Sequence, residues 1–293
     1  MNEELNIISR CKFCQTPLEA RFIDIILLPQ HHDQSKGESH AQLESGYLLP
    51  TFVCSSCFLV QVDESYLPAT QERVYVSSFA SSWLTDVKLF TDNIFERFET
   101  RDNCLIAVLT KRKEASQKAL TDNTFSFGTN GLHALIDMYG KADSIICHDE
   151  LAYVHDINDF VSGLKLFLKP SGVIEIEFNH LVPILEGKPL KVTNSECFSY
   201  FSLTTVDKIL KKHGLVIFDV IDNPADESLT ISVRHAEEIT KHISNRVTTL
   251  RGKERSMGMS SLNFYTSVKN KLANSFPDEE EFSFLSGHSK EIQ

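Results

Sequence analysis

Four of the seven cysteines fall in two C-x-x-C pairs, Cys11-Lys12-Phe13-Cys14 and Cys54-Ser55-Ser56-Cys57. A two-residue gap lets both thiolates of a pair converge on one ion, and two such knuckles complete a tetrahedral Zn²⁺ site. With sulfur in every position the site is closed, so its work is to fold the module around it. A redox dithiol and four unligated buried thiols are the competing readings. A redox pair usually stands alone beside a βαβ pattern, whereas here a matched couple flanks one short segment, and structural zinc is favoured. Cys104, Cys147 and Cys197 sit in or beside apolar runs and read as core or loop thiols.

The chain of 293 residues carries a net charge of −11 and is 42% apolar. That charge gives no unspecific attraction to nucleic acid or to an anionic membrane, so neither is an expected partner. Nothing approaches the apolar length needed to span a bilayer. The opening "MNEELNIISRCKFC" has acids where a secretory leader needs a basic start and an apolar stretch. A cytoplasmic protein is expected, where thiols stay reduced and clustered cysteines bind metal.

Three zones position these residues. Residues 1–70 hold the two pairs, the apolar runs "RFIDIILL" and "LLPTFVC", and a polar insert, "QHHDQSKGESHAQLESG", that reads as a loop. Residues 71–240 alternate apolar runs with amphipathic stretches, the pattern of an α/β unit. Strands are expected at Cys104–Leu109, Thr124–Phe127, Ser144–His148, Gly172–Phe178, Leu215–Val220 and Leu229–His235. Helices are expected at Ser82–Phe98, Glu114–Leu120, Gly131–Met138, Ile157–Phe167 and Thr204–His213. The last of these takes Thr204 or Thr205 as N-cap and Gly214 as C-cap. Residues 241–293 form a C-terminal extension; helical character begins at "AEEITKHISNRVTTLRGKE", continues in "LNFYTSVKNKLANSF", and gives way to an acidic tail.

"CLIAVLTKRKEASQKAL", residues 104–120, reads as a buried strand, a turn and the start of a helix. Many α/β enzymes hold a cofactor at such a turn, through backbone amides that glycine leaves open. Here the turn is Thr110-Lys111-Arg112-Lys113, and a side chain at every position keeps a ligand off those amides. A solvated strand–helix connection is the preferred reading.

The order of segments resembles one family. After the first C-x-x-C come "VCSSCFLVQV", "YVSSFASSW", "HDINDFVSGLKLFLKPSGVIEIEFNHL", "FSYFSLTTVDKILKKHGLVIFDV" and "SLTISVRH". This is similar to the S-adenosylmethionine-dependent C-methyltransferases of nucleotide-linked deoxysugars, over roughly residues 11–100 and 140–240. The resemblance implies an N-terminal zinc-binding module followed by a class I methyltransferase-like, Rossmann-like α/β domain. The sheet is expected to be reduced, because the segment after Leu109 is too short for the family's ribose-binding strand.

The resemblance also implies where a site would lie and what has changed in it. The family's Asn-Asp-Gly cofactor turn is missing from the opening stretch. Its paired asparagines after the fourth strand are replaced by His148-Asp149, the family-equivalent cofactor positions. Its two histidines around a glutamate become Ser195 and Cys197 around Glu196, the tyrosine before them becomes Asn194, and Phe79 stands for a further tyrosine. His180 matches a family active-site histidine. C-methylation beside a keto group needs a base for a carbon-bound proton and a donor for the enolate. His180 and Glu196 are the retained candidates: His180 to donate to the keto oxygen, Glu196 to hold a sugar hydroxyl. The plainer alternatives are a hydrogen-bonded strand-end histidine and a solvated loop carboxylate.

Three functions follow. The losses at the cofactor turn, the ribose strand and the catalytic histidines together favour a non-catalytic relative. Such a protein would bind a nucleotide-linked deoxysugar weakly, or pair with an intact methyltransferase paralogue or with itself. An active methyltransferase with an atypical S-adenosylmethionine pocket and a zinc-stabilised interaction module are the alternatives.

Overall fold

The computed structural model describes residues 9–27, 47–63, 105–109, 136–137, 139–148, 150–186, 197–223 and 227–275. Two sheets organise them. The first has the order β1-β2-β3-β7, all antiparallel: β1 Ala20–Leu27, β2 Tyr47–Val53, β3 Val60–Val62 and β7 Ser199–Tyr200. β1 shifts register between Arg21 and Asp24. There the buried Thr51 hydroxyl donates to the Ile23 carbonyl (2.5 Å) and accepts the Ile23 N–H (3.2 Å), which satisfies the backbone the shift would strand.

The second sheet has the order β4-β5-β6-β9-β8. β4 Ile106–Leu109, β5 Ala142–His148 and β6 Leu168–Asn179 are parallel, while β9 Ser228–His235 and β8 Leu215–Asn223 form an antiparallel pair at its edge. Near-continuous apolar runs are what strands covered on both faces need. In "LKPSG", Gly172 is required by space: a Cβ there would sit 2.9 Å from the Asp143 carbonyl oxygen of β5.

Helix α1, Ile157–Phe167, connects β5 to β6 and follows a short 3-10 turn at Leu151–Tyr153. Asp156 caps it by accepting the Asp159 N–H, and Ile157, Val161, Leu164 and Phe167 face the core. α2, Leu181–Leu185, follows β6, and α3, Leu203–Lys212, precedes β8. The N-cap of α3 is Ser202, whose hydroxyl accepts the Thr205 N–H at 3.1 Å; this corrects the expectation of Thr204 or Thr205. Threonine at 204 is committed elsewhere, as described below. Gly214 takes the left-handed conformation (φ +71°) that ends the helix.

The C-terminal segment starts later than its composition suggests. Residues 236–244 are a turn at 236–237 followed by bends and irregular backbone, and helix α4 runs Asn245–Met257, followed by α5, Leu262–Ser275. The start of α4 is pinned to β8 by the Asp219 carboxylate, which accepts from Ser244 Oγ (2.7 Å) and from both Nε and Nη2 of Arg246. Burial pushes that carboxyl up, but Arg246 and Ser244 more than offset it and hold it below its ordinary range.

Of the expected elements, Cys104–Leu109, Ser144–His148, Gly172–Phe178, Leu215–Val220 and Leu229–His235 have strands in their places, and Ile157–Phe167 is a helix end to end. Residues 136, 137 and 139 are helical, at the end of the expected Gly131–Met138 helix. Thr124–Phe127, Ser82–Phe98, Glu114–Leu120, the turn at 110–113 and the acidic tail lie outside the described residues. No helix among the described residues is long and apolar enough to cross a membrane.

The three zones share cores. β7, from the 71–240 zone, completes the first sheet. Met259, Tyr265, Val268 and Leu272 of the C-terminal segment pack with Phe22, Leu49, Val53, Val60 and Val62 of the module. Tyr265, 2% exposed, stands edge-on to Phe22 at 5.7 Å and stacks with Phe58 at 6.5 Å. Tyr265→Ala is therefore expected to cost about 3–5 kcal/mol. Urea unfolding should show the module and the sheet destabilised together, not a local loss of the C-terminal helices.

Candidate functional site

The two C-x-x-C pairs adopt the same turn. In each, the N–H of the first cysteine bonds the carbonyl five residues on: Cys11 to Thr16 (2.9 Å) and Cys54 to Leu59 (3.0 Å). The N–H four residues on returns to the first cysteine's carbonyl, from Gln15 (2.9 Å) and from Phe58 (3.0 Å). Those two residues carry φ of 63° and 67°, a left-handed conformation that side chains rarely adopt. Two copies of a costly turn aim four thiols at one point.

The four sulfur atoms lie within 4.8 Å of one another, with Cys11–Cys57 at 3.5 Å and Cys14–Cys54 at 3.3 Å. A tetrahedron of zinc–sulfur bonds has edges of about 3.8 Å, so the donor set fits zinc. As bare thiols the group is self-conflicting. Cys54, accepting from Cys11 and Cys57, is pushed below the ordinary thiol range, while the same crowding pushes Cys57 up. A divalent cation removes that conflict by favouring all four thiolates.

The knuckles dock on the α/β part. Asn158 in the first turn of α1 donates to the Phe13 carbonyl (2.8 Å), and its Oδ1 accepts from Lys212 Nζ and His213 Nε2, each at 3.0 Å. Lys208 of α3 lies over the Phe58 ring at 4.5 Å, and Lys212 over Phe13 at 5.0 Å.

His180 ends β6 and is 5% exposed. Its Nε2 lies 2.9 Å from Oε1 of Glu254, a residue of α4 with 0% exposure. Glu254 spans the start of α3: Oε1 accepts the Leu203 N–H (2.8 Å), and Oε2 accepts the Thr204 N–H (2.7 Å) and hydroxyl (2.5 Å). Burial pushes this carboxyl up, yet the bonds from His180 and Thr204 prevail and hold it below the ordinary range. The positive end of α3 adds to that preference.

His148 ends β5, beside Glu177 in register on β6. Its Nε2 is 3.0 Å from Glu177 Oε2, and Ser228 Oγ donates to Glu177 Oε1 at 2.8 Å. Both side chains are 15% exposed, at the carboxyl end of the parallel strands, where α/β folds hold ligands. Such a pair can hold a proton or accept a polar ligand group. Asp149 and Glu196 lie outside the described residues.

The four cysteines are thus brought together, whereas His148 and His180 each have their own carboxylate. Sequence reasoning missed both partners. Glu177 was visible in "EIEFNH", two positions from Glu175 on the same face of a strand. Glu254 left no signal, because it meets its partners only through tertiary packing.

The chain matches no protein-family model. It is 30% identical over 82 residues to C-methyltransferase NovU of Streptomyces niveus, which is 28% of this chain and 20% of that protein. The match thus spans about a fifth of that relative's length. Among solved structures, an S-adenosylmethionine-dependent methyltransferase from Clostridium acetobutylicum is similar at 14% identity and a TM-score of 0.39, over 54% of this chain and 97% of that one. An O-methyltransferase family protein from Burkholderia thailandensis is similar at 10% identity and 0.37, over 54% and 60%. The likeness in sequence is to a methyltransferase; the fold is mixed α/β with a small sheet and four converging cysteines.

Glu254→Gln keeps the shape and removes the charge, and is expected to destabilise by about 1–3 kcal/mol at neutral pH. Because the folded carboxyl is depressed, its contribution is complete above the unfolded value and is lost as pH falls through the folded one. The difference between wild type and variant in urea unfolding should shrink below about pH 4.3. A constant difference down to the acid transition would show that the charge is not what matters.

Proposed function

We propose that this protein is a zinc-stabilised relative of the nucleotide-sugar C-methyltransferases in which S-adenosylmethionine binding and methyl transfer are weakened or lost. It serves as an auxiliary subunit in deoxysugar or polysaccharide assembly, bound to an intact paralogue or to itself, and retains at most weak affinity for a nucleotide-linked deoxysugar. The observation that carries this reading is the state of His180. A histidine that contacts a keto sugar must present a ring nitrogen to a pocket. Here the ring is 5% exposed, with Nε2 held by a buried carboxylate that already takes two backbone N–H groups and a hydroxyl. The replaced histidines beside Glu196 and the glycine-free turn at 110–113 point the same way.

A second reading, an active enzyme with an atypical cofactor pocket, is favoured by the His148–Glu177 pair at the carboxyl end of the sheet. Calorimetric titration with S-adenosylmethionine, S-adenosylhomocysteine and a TDP-linked sugar separates the two. The auxiliary reading expects no saturation by either cofactor form below about 1 mM. A dissociation constant in the micromolar range for S-adenosylmethionine would overturn it.

Cys11, Cys14, Cys54 and Cys57 would hold Zn²⁺, which when bound supplies a cross-link between the two knuckles. Metal analysis of the purified chain is expected to give one zinc per protein. Cys54→Ser should lose the metal and unfold at markedly lower temperature; a metal-free variant as stable as the wild type would remove the structural role.

A further inference from the structure

Gln61 lies on β3, just beyond the second knuckle, and is 0% exposed. Its Oε1 accepts the N–H of Lys12, between the two cysteines of the first knuckle, at 2.9 Å. One side chain thus ties the strand leaving knuckle two to the backbone of knuckle one, across a sequence separation of 49. The other end of the amide, Nε2, is buried and makes no hydrogen bond at ordinary distance. Because the same amide is anchored to the Lys12 N–H, one residue from Cys11, Nε2 stands beside the first knuckle.

A buried amide with a satisfied oxygen and an idle nitrogen is costly unless the nitrogen acquires an acceptor. Four thiolates around one divalent cation carry a net charge of −2, and a buried site of that charge requires N–H donors to its sulfurs. One is present already: the Cys57 N–H reaches Cys54 Sγ at 3.5 Å. Cys11 belongs to the other knuckle and adjoins Lys12, whose N–H the Gln61 oxygen accepts. Gln61 also lines a cleft of about 340 Å³, with Arg10, Lys12, Asp63, His155 and Asp156, that opens beside the first knuckle.

We propose that Gln61 is a positioning residue of the metal centre: its oxygen fixes knuckle one through Lys12, and its Nε2 donates to the metal-bound Cys11 thiolate and closes the centre to the cleft. The inference rests on the zinc reading given above. The class of ligand is a divalent, thiophilic cation, and the role of the side chain is to retain it.

The test uses the full chain loaded with Zn²⁺ or Co²⁺. Gln61→Met keeps the volume and removes both hydrogen bonds. Its metal loss to a colorimetric chelator is expected to be about 10–100-fold faster. Its cobalt–thiolate charge-transfer band should move to longer wavelength, because a sulfur relieved of an N–H bond donates more strongly. Gln61→Glu keeps the acceptor for Lys12 but not the donor, and guards against a variant that merely fails to fold; circular dichroism should be native for it. It too should lose metal faster. Retention equal to wild type in folded Gln61→Glu, or an unshifted cobalt band in Gln61→Met, overturns the donor role. A wild-type chain that takes up neither metal overturns the zinc reading itself.

Discussion

A carboxylate with no solvent to turn to must be surrounded by donors, and Glu254 collects its donors from the end of β6 and the start of α3. The backbone of α3 supplies two N–H groups that a helix start leaves without partners, Thr204 adds a hydroxyl, and His180 adds a ring nitrogen. Each group is satisfied only because the others are in place. Burying that charge would be heavily unfavourable if any of the elements were absent. The bond set thus makes α4 a structural member of the α/β unit, not an appendage. It also explains why α3 takes its side-chain cap from Ser202: the next hydroxyl, Thr204, is already committed to Glu254.

From α3 the ordering extends outward to the cysteines. Lys208 and Lys212 on its exposed face lie over Phe58 and Phe13, one aromatic ring from each knuckle. His213, at its end, donates to Oδ1 of Asn158, whose Nδ2 in turn donates to the Phe13 carbonyl inside the first knuckle. Burial and the nearby Lys212 and Lys165 keep this imidazole below its ordinary range; its Nε2 donates to Asn158 Oδ1, and its Nδ1 lies 3.0 Å from Ser162 Oγ. The cysteine cluster and the second sheet are therefore linked through one helix. A metal bound by the four cysteines would steady the first sheet, and α5, packed into the module's core, returns the C-terminal chain to the N-terminal one.

What was legible in the sequence follows the range of the forces involved. The paired cysteines announce themselves because coordination geometry demands a fixed local spacing, and the strands of the second sheet because full burial demands unbroken apolar runs. α1 is read end to end, since Asp156, the apolar spacing and the end of the apolar stripe all lie within one window. The segment "AEEITKHIS" has helical composition but is not helical, because Asp219 holds Ser244 and Arg246 from a strand far away in sequence. Gln61 and Glu254 were invisible for the same reason. A buried polar residue declares its role only through partners that tertiary packing brings to it. His180 was located but its environment was not, since nothing near it in the chain names Glu254.

The two histidines on the second sheet meet opposite physical demands. A base must change protonation and exchange partners during a reaction, and it does so cheaply only where water or substrate can replace what it gives up. If His180 rotated away from Glu254, it would leave one donor fewer around a fully buried carboxylate, a penalty of about 1–3 kcal/mol before any chemistry began. His148 carries no such burden: it and Glu177 reach solvent at the carboxyl end of the parallel strands, and Ser228 remains on the carboxylate if the ring moves. Of the two pairs, His148–Glu177 is the one placed where a ring nitrogen can change partners without leaving a buried charge unmet. His180 is instead part of what keeps the sheet and α4 together.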